Sequence, residues 1–457
     1  GKGGDGGASA TIIGGAGIIG ATATALIDGD TSASLVGQTS STATVITVTG
    51  GAGGNGGAAS TSIAGVAGVN GGASTMTLDT ATSKANVTLA SGAAGSAGAD
   101  ATGFSGGTAG AGGVATLALT GAQTFTGNIL TTGNGTGVLT TGGVTTIDGN
   151  IGSSTSLDLA SLTTTANLDV TGNVYVAAIS IADQFSLTGT TDQVVSGTVT
   201  HASGVDDDLI VSAAVRNVTF NSAVSVKDLT LGAGSTTTFD STVASVVTAL
   251  NGTSTFTGAV TLTGAATMAA GPTTTFSSTV GTDSDITGTT TANMTFNGAV
   301  TSTGNIAAGV GSTTAFNSTV SAVNLSNSGA MTLKGAVTLS GTMTTVSGST
   351  ITLGSAFKAG SAAAITAALT SVGTLDQTVN AVTVNVNNQF TTGTVVLFKN
   401  TAAALDSDDL ASFNVTDTAI VDYTAALSST AKAIEITANK RTTAGIATYL
   451  GMSTAQS

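Results

Sequence analysis

Between Phe220 and Phe357 the chain alternates apolar and small polar positions in a five-residue phrase that returns eight times. It reads Phe220-Asn-Ser-Ala-Val, Phe239-Asp-Ser-Thr-Val, Phe256-Thr-Gly-Ala-Val, Phe276-Ser-Ser-Thr-Val, Phe296-Asn-Gly-Ala-Val, Phe316-Asn-Ser-Thr-Val, Leu333-Lys-Gly-Ala-Val and Leu353-Gly-Ser-Ala-Phe. The heads stand 19, 17, 20, 20, 20, 17 and 20 residues apart. Alternation with a period of two marks a strand with one buried face. One such strand cannot bury that face alone, whereas stacked copies bury it against each other. The expected fold is therefore all-β: a parallel β-helix, or β-solenoid, with rungs of about 19 residues. Phe220, Phe239, Phe256, Phe276, Phe296, Phe316, Leu333 and Leu353 form its core stack.

A second repeat precedes alternate phrases: Gly234-Ser-Thr, Gly271-Pro-Thr, Gly311-Ser-Thr and Gly348-Ser-Thr. Pro272, the single proline, replaces the serine of the other three copies. A fixed φ suits a turn and a missing N–H harms a ladder, so the Gly-Ser pair belongs at a corner. The Gly-Ala-Val and Ser-Thr-Val versions alternate, which leaves a doublet of 36 to 40 residues as the alternative unit. Two rungs of about 19 residues fit ordinary strand lengths better.

Three segments follow from these patterns. Residues 1–118 are Gly- and Ala-rich, with short β-like runs at Thr44–Val48, Met76–Leu78 and Val87–Leu89, and are expected to be irregular coils whose glycines sit at corners or let backbones approach closely. Residues 119–357 are the regular solenoid. It begins loosely with Phe125-Thr-Gly-Asn-Ile, Ile147-Asp-Gly-Asn-Ile and Val170-Thr-Gly-Asn-Val, which align Asn128, Asn150 and Asn173. Those asparagines suit turns, the preferred reading, or an asparagine ladder. Residues 358–457 lose the period and are expected to form a small mixed cap over the last rung. It would hold a helix over Ser361–Gly373, strands near Val382–Val386, Thr394–Phe398, Thr418–Tyr423 and Ala433–Ile436, and a last helix over Thr442–Leu450.

Composition narrows the function. Charged residues make up 7% of the 457, the net charge is −14, and Glu435 is the one glutamate. That charge repels phosphate backbones, so no nucleic-acid partner is expected. There is no cysteine or tryptophan and a single histidine, His201, which disfavours thiolate and zinc chemistry. His201 has no nucleophile elbow to serve, and a solvent-facing loop is its expected place. Paired carboxylates at Asp283 and Asp285 and within Asp206, Asp207 and Asp208 have the residue types of a solenoid glycosidase, but sugar acids also need basic and aromatic groups to hold them. With ten Lys and Arg in the whole chain, no catalytic residue, cofactor site or enzymatic activity is expected. Those five aspartates, with a third cluster at Asp406, Asp408 and Asp409, are instead calcium candidates, and the bland reading of the third cluster is charge at a helix N-terminus. Gly50–Ala58 has a superficial likeness to calcium-binding nonapeptides, but Asn55 stands in place of the carboxylate and no tandem copies follow.

The Phe-x-Gly-Ala-Val rungs, followed in order by Gly393-Thr-Val-Val-Leu-Phe398, Phe413-Asn-Val415, Val421-Asp-Tyr423 and Ala433-Ile-Glu-Ile-Thr437, resemble the secreted passengers of Gram-negative autotransporters, in particular the rickettsial-type surface proteins that coat cells in a layer. The likeness covers roughly residues 120–457. It implies an extracellular protein at the surface of a Gram-negative bacterium, with its membrane barrel removed or elsewhere. The function expected from residues and resemblance together is a non-enzymatic, self-assembling coat, surface layer or filament. Its partners would be copies of itself, with the outer membrane or surface polysaccharide as further contacts, and calcium would be an optional ligand. An adhesin passenger is the alternative, and a carbohydrate-active solenoid enzyme the remote one.

Overall fold

The structure is a computed structural model that describes residues 23–28, 34–36, 45–60, 64–79, 82–84, 86–154, 157–201, 208–213, 217–346, 348–358, 361–367, 382–386, 393–402, 404–411, 413–418 and 420–452. Strands dominate, and they stack in parallel as the coils of a β-solenoid. The chain divides into two compact units, Gly1–Lys227 and Asp228–Ser457.

In the first unit each coil supplies up to three strands. Ser74–Asp79, Thr82–Lys84 and Asn86–Ala90 form one, and Ala115–Leu119, Gln123–Thr126 and Ile129–Thr131 the next. Equivalent strands pair in register, with Met76 on Leu117 and Val87 on Ile129. Inward positions alternate with outward ones, so Leu117, Leu119, Phe125 and Ile129 are fully buried while their neighbours face outward.

The glycine clusters of this unit let backbones approach closely, as expected, but in an arrangement the sequence reading missed. Between the third strand of one coil and the first strand of the next, the chain makes a long excursion: 50–73 after Val45–Thr49, and 91–114 after Asn86–Ala90. The two excursions share an offset of 41 residues, the offset that also pairs Val45 with Asn86 and Ser74 with Ala115. Each folds back on itself, and the four arms are tied by backbone hydrogen bonds that recur at every third residue. Gly50, Gly53 and Gly56 donate to Ala90, Ala93 and Ser96, while Gly51, Gly54 and Gly57 donate to Gly72, Val69 and Val66. Gly92, Gly95 and Gly98 donate to Gly113, Gly110 and Gly107. A three-residue repeat whose bonds all run between arms and none within them is the geometry of polyproline-II helices. No side chain fits at their contacts: a Cβ on Gly53 would lie 2.2 Å from the Gly110 carbonyl oxygen, and one on Gly107 would lie 1.9 Å from that of Val66. The core of this cassette is therefore glycine backbone, and Ala, Ser, Thr and Val point outward.

In the second unit every phrase head closes its own coil, so the repeat is the single rung and not the doublet. One sheet runs coil by coil from Thr236–Phe239 through Thr253–Phe256, Thr273–Phe276, Asn293–Phe296, Thr313–Phe316 and Ala330–Leu333 to Ser349–Leu353. In-register pairing sets Phe239, Phe256, Phe276, Phe296 and Phe316 one above another, with ring centroids 4.8, 5.0, 4.9 and 5.1 Å apart and planes within 15°. The separation matches the strand spacing of about 4.7–4.9 Å, so the ladder imposes the stack. Leu333 and Leu353 continue the column. Phe220 is buried at the end of strand Asn217–Phe220 in the first unit.

The repeated Gly-Ser turn is a corner, and its glycine is needed for backbone reasons: Gly234, Gly271, Gly311 and Gly348 have φ of 85°, 90°, 69° and 86°. Thr291 occupies the register of Gly271 and Gly311 and holds φ 60° with a branched side chain. Left-handed φ costs an L-residue about 1–2 kcal/mol. Thr291→Gly is therefore expected to stabilise the unit by up to about 1 kcal/mol after the entropy cost of the new glycine, read as a higher urea midpoint at unchanged slope.

Beyond 358 the expected helix over Ser361–Gly373 is absent where it is described: Ile365–Ala367 is a strand. It pairs with Val337 and Thr338 on one side and Phe398 to Asn400 on the other. The alanine-rich run favours a helix locally, but a place in the ladder buries Ala364, Ile365 and Ala367 completely and overrides propensity. Residues 368–373 lie outside the described ones. Gly393–Asn400, Ala433–Lys440 and Val421–Leu427 then turn antiparallel, and two short helices, Ser407–Ala411 and Thr443–Tyr449, complete the mixed cap. The second helix lies within the expected Thr442–Leu450 and begins on a cap, Thr442, whose hydroxyl accepts from the Gly445 amide.

Candidate functional site

The acidic candidates are spread over different corners. Asp206 and Asp207 lie outside the described residues; Asp208 opens strand Asp208–Val211, its amide donating to the Asp183 carbonyl. Asp283 is exposed at the corner after Val280–Thr282. Asp285, two residues on, is committed to a ladder: its Oδ1 accepts from the Asn305 amide at 2.7 Å and from Asn305 Nδ2 at 2.9 Å. Asn305 Oδ1 accepts from Asn324 Nδ2 at 2.6 Å, and Asn324 Oδ1 accepts from the Thr342 amide at 2.7 Å. Asp285 is thus the first rung of a polar column four coils long.

The first unit carries a second column, and it corrects the turn reading of Asn128, Asn150 and Asn173. Asn86 Oδ1 accepts the Asn128 amide, Asn128 Oδ1 the Asn150 amide, Asn150 Oδ1 the Asn173 amide and Asn173 Oδ1 the Val194 amide, all at 2.8–2.9 Å. None of the three asparagines has positive φ. The backbone turns away from the ladder at each of these corners, and the carboxamide takes the amide hydrogen left behind. In the glycine cassette Asn55 does the same for the Ser96 amide at 2.7 Å, which uses the oxygen that a calcium loop would turn inward.

The third cluster is a helix start. Asp406 Oδ1 accepts from the amides of Asp408 and Asp409, while Asp409 Oδ2 accepts from the Asp406 amide, a reciprocal capping box. Asp409 is fully buried, and burial pushes its carboxyl above the usual range, with Asp406 and Asp408 adding repulsion against the Asp406 amide bond. Its folded value exceeds the ordinary 3.8, so the folded chain holds a proton there that the unfolded chain releases. Stability from this group is accordingly highest in acid and falls as pH rises from 3.8 through the folded value. Asp409→Asn, which keeps the capping oxygen, is expected to raise the melting temperature at pH 7 and leave it unchanged in acid. Burial also raises Asp158, against a weaker opposing bond from the Ser196 hydroxyl, and raises the Tyr423 phenol.

Among the described residues no three carboxylate or imidazole groups converge on one point. His201 is exposed at the end of strand Thr198–His201, in register with Ile181. In the cap, Arg441 bonds Asp417 at 2.6 Å and Asp422 at 3.1 Å, lies 4.8 Å over the Tyr449 ring and ties helix Thr443–Tyr449 to strand Val421–Leu427. No helix of the described residues is long and apolar enough to cross a membrane.

Two features mark the surface. The first is Phe104, 37% exposed, on the turn Ala101–Phe104 at the tip of the second cassette arm; among the described phenylalanines it alone faces solvent. The second is an outward row in the second unit: Thr238, Thr255, Thr275, Thr295, Ala315, Thr332 and Thr352 stand in register on seven successive coils. No protein-family model, curated protein or solved structure matches the chain. The likeness to autotransporter passengers rests on the motifs quoted above.

Proposed function

We propose that the chain is a non-enzymatic structural protein of the bacterial cell surface that associates with copies of itself into a coat, layer or filament. The observation that supports this most directly is the in-register row of threonines, which repeats one uncharged, hydrogen-bonding group at six of seven successive coils, Ala315 being the exception. A flat periodic surface of this kind is matched best by another copy with the same period. The passenger resemblance adds the extracellular setting, and the acidic corners add calcium as a ligand at contacts. Negative-stain electron microscopy and sedimentation of the purified chain, in calcium and in EDTA, test the reading. Ordered sheets or filaments are expected; a chain that stays monomeric at every concentration in both buffers overturns it.

One observation favours adhesion as a second reading. Phe104 is held on a rigid turn at the tip of a backbone-bonded arm, where an exposed aromatic serves no core. On that reading Phe104→Ala lowers retention on polysaccharide-coated or cell surfaces without changing circular dichroism, and unchanged retention removes it.

A further inference from the structure

One row of corners in the second unit is interrupted, and the interruption has a shape. Ladder registers fix the corner lengths: four residues separate Gly288 from Asn293, Ala308 from Thr313 and Thr345 from Thr350, but only two separate Asn327 from Ala330. The short corner, Ser328–Gly329, lies between two long ones, and the missing backbone leaves a surface notch of about 360 Å³. Asn327 bridges the shortened turn from inside, accepting from the Gly329 amide and donating to the Thr350 carbonyl. The notch is walled by Val346 and Ala330 and floored by Ser312. Ser312 is 1% exposed, and its hydroxyl, without a hydrogen-bond partner, is buried against Gly329.

Val310, itself on the rim of the notch and one coil before its short corner, is 63% exposed, the most exposed large apolar residue described. Knob and notch are thus about 4.8 Å apart along the coil axis. A two-fold axis passing between them puts the Val310 of each copy into the notch of the other. The incoming corner brings apolar surface to Val346, which lines the notch. Charge selects this edge as well. The chain carries a net −14, so copies repel wherever like charges face. Yet the corners 251–252, 269–272, 289–292, 309–312, 328–329 and 346–349 contain no charged residue, while Asp240, Asp283, Asp285 and Lys334 stand at the other corners of the same coils.

We infer that this uncharged corner edge is the contact surface for a second copy of the chain, keyed by Val310 entering the Ser328–Gly329 notch. The inference rests on the self-association proposed above and specifies where it occurs. The natural chain has no cysteine, which makes the test clean. A Val310→Cys chain is mixed in equal amount with an Ala330→Cys chain, oxidised gently and mapped by mass spectrometry, alongside sedimentation equilibrium of Val310→Asp and of a variant with Gly-Val inserted after Ser328. A mixed 310–330 disulfide, and at least a tenfold weaker association of both variants at unchanged circular dichroism, are expected. If the wild-type chain associates but the mixed cysteine variants form no such disulfide and Val310→Asp associates as tightly, the notch is not the contact, and the wider reading stands. If the wild-type chain never associates, both are overturned.

Discussion

Replacing Phe256, Phe276 and Phe296 together by aspartate is expected to abolish the cooperative β-structure of the second unit. Each ring is buried to within 2% of its surface and stacks on both neighbours. Truncating one such ring costs about 3–5 kcal/mol, and three exceed the total stability of about 5–15 kcal/mol that a typical domain has at its lower end. Aspartate adds an unpaired charge that the dry column cannot solvate. Because each coil is stabilised by its neighbours, the loss at three adjacent coils spreads beyond them. Phe276→Leu is the control. Leu333 and Leu353 already occupy this column, so one leucine is expected to cost no more than about 1.5 kcal/mol. Retained β circular dichroism and melting temperature in the triple variant would sink the stacking model.

The regular coils were legible because one residue type marks one ladder position: a Phe head at a fixed period leaves little freedom in register. The corners were legible too, through Gly271, Gly311 and the unique Pro272. What failed to show were features set by partners distant in sequence. Ile365–Ala367 reads as part of a helix until the strands at Val337 and Phe398 are in place. Asn128, Asn150 and Asn173 read from the sequence as turn residues before ladder residues, and only the positions of amides about 22 residues on decide for the ladder. The corner notch was present in the spacing as rungs of 17 residues, between Phe239 and Phe256 and between Phe316 and Leu333. Converting a short rung into a shaped surface required knowing which side of the coil lost residues. The acidic clusters look alike in sequence, yet Asp285 starts a polar column and Asp406 caps a helix, because each oxygen goes to the nearest unpaired amide.

The glycine cassette shows the same limit more sharply, and it carries the second large prediction. Low-complexity Gly/Ala sequence reads as linker or as loose coil until the three-residue phase of its glycines is noticed: 50, 53 and 56; 65, 68 and 71; 92, 95 and 98; 107, 110 and 113. Gly110 lies where all four arms meet. Its amide donates to Gly54 at 2.9 Å, its carbonyl accepts from Gly95 at 2.8 Å, and a Cβ there would lie 2.0 Å from the Val69 carbonyl oxygen. Those neighbours are backbone, with no flexible end to move aside, so Gly110→Ala must pry the arms apart. The bonds around it contribute about 0.5–1.5 kcal/mol each, and a loss of about 3 kcal/mol or more is expected once several open together. The effect is confined to the excursion: strands Ser74–Asp79 and Ala115–Leu119 have their own ladder and a buried apolar face. Hydrogen–deuterium exchange should therefore rise in the peptides holding Gly54, Gly95 and Gly107 and stay slow in those two strands. Ala109→Ser, on the exposed side of the same arm, is expected to change neither. Unchanged exchange at Gly95 and Gly107 in the Gly110→Ala chain would mean that the arms are held by something other than their close-packed backbones.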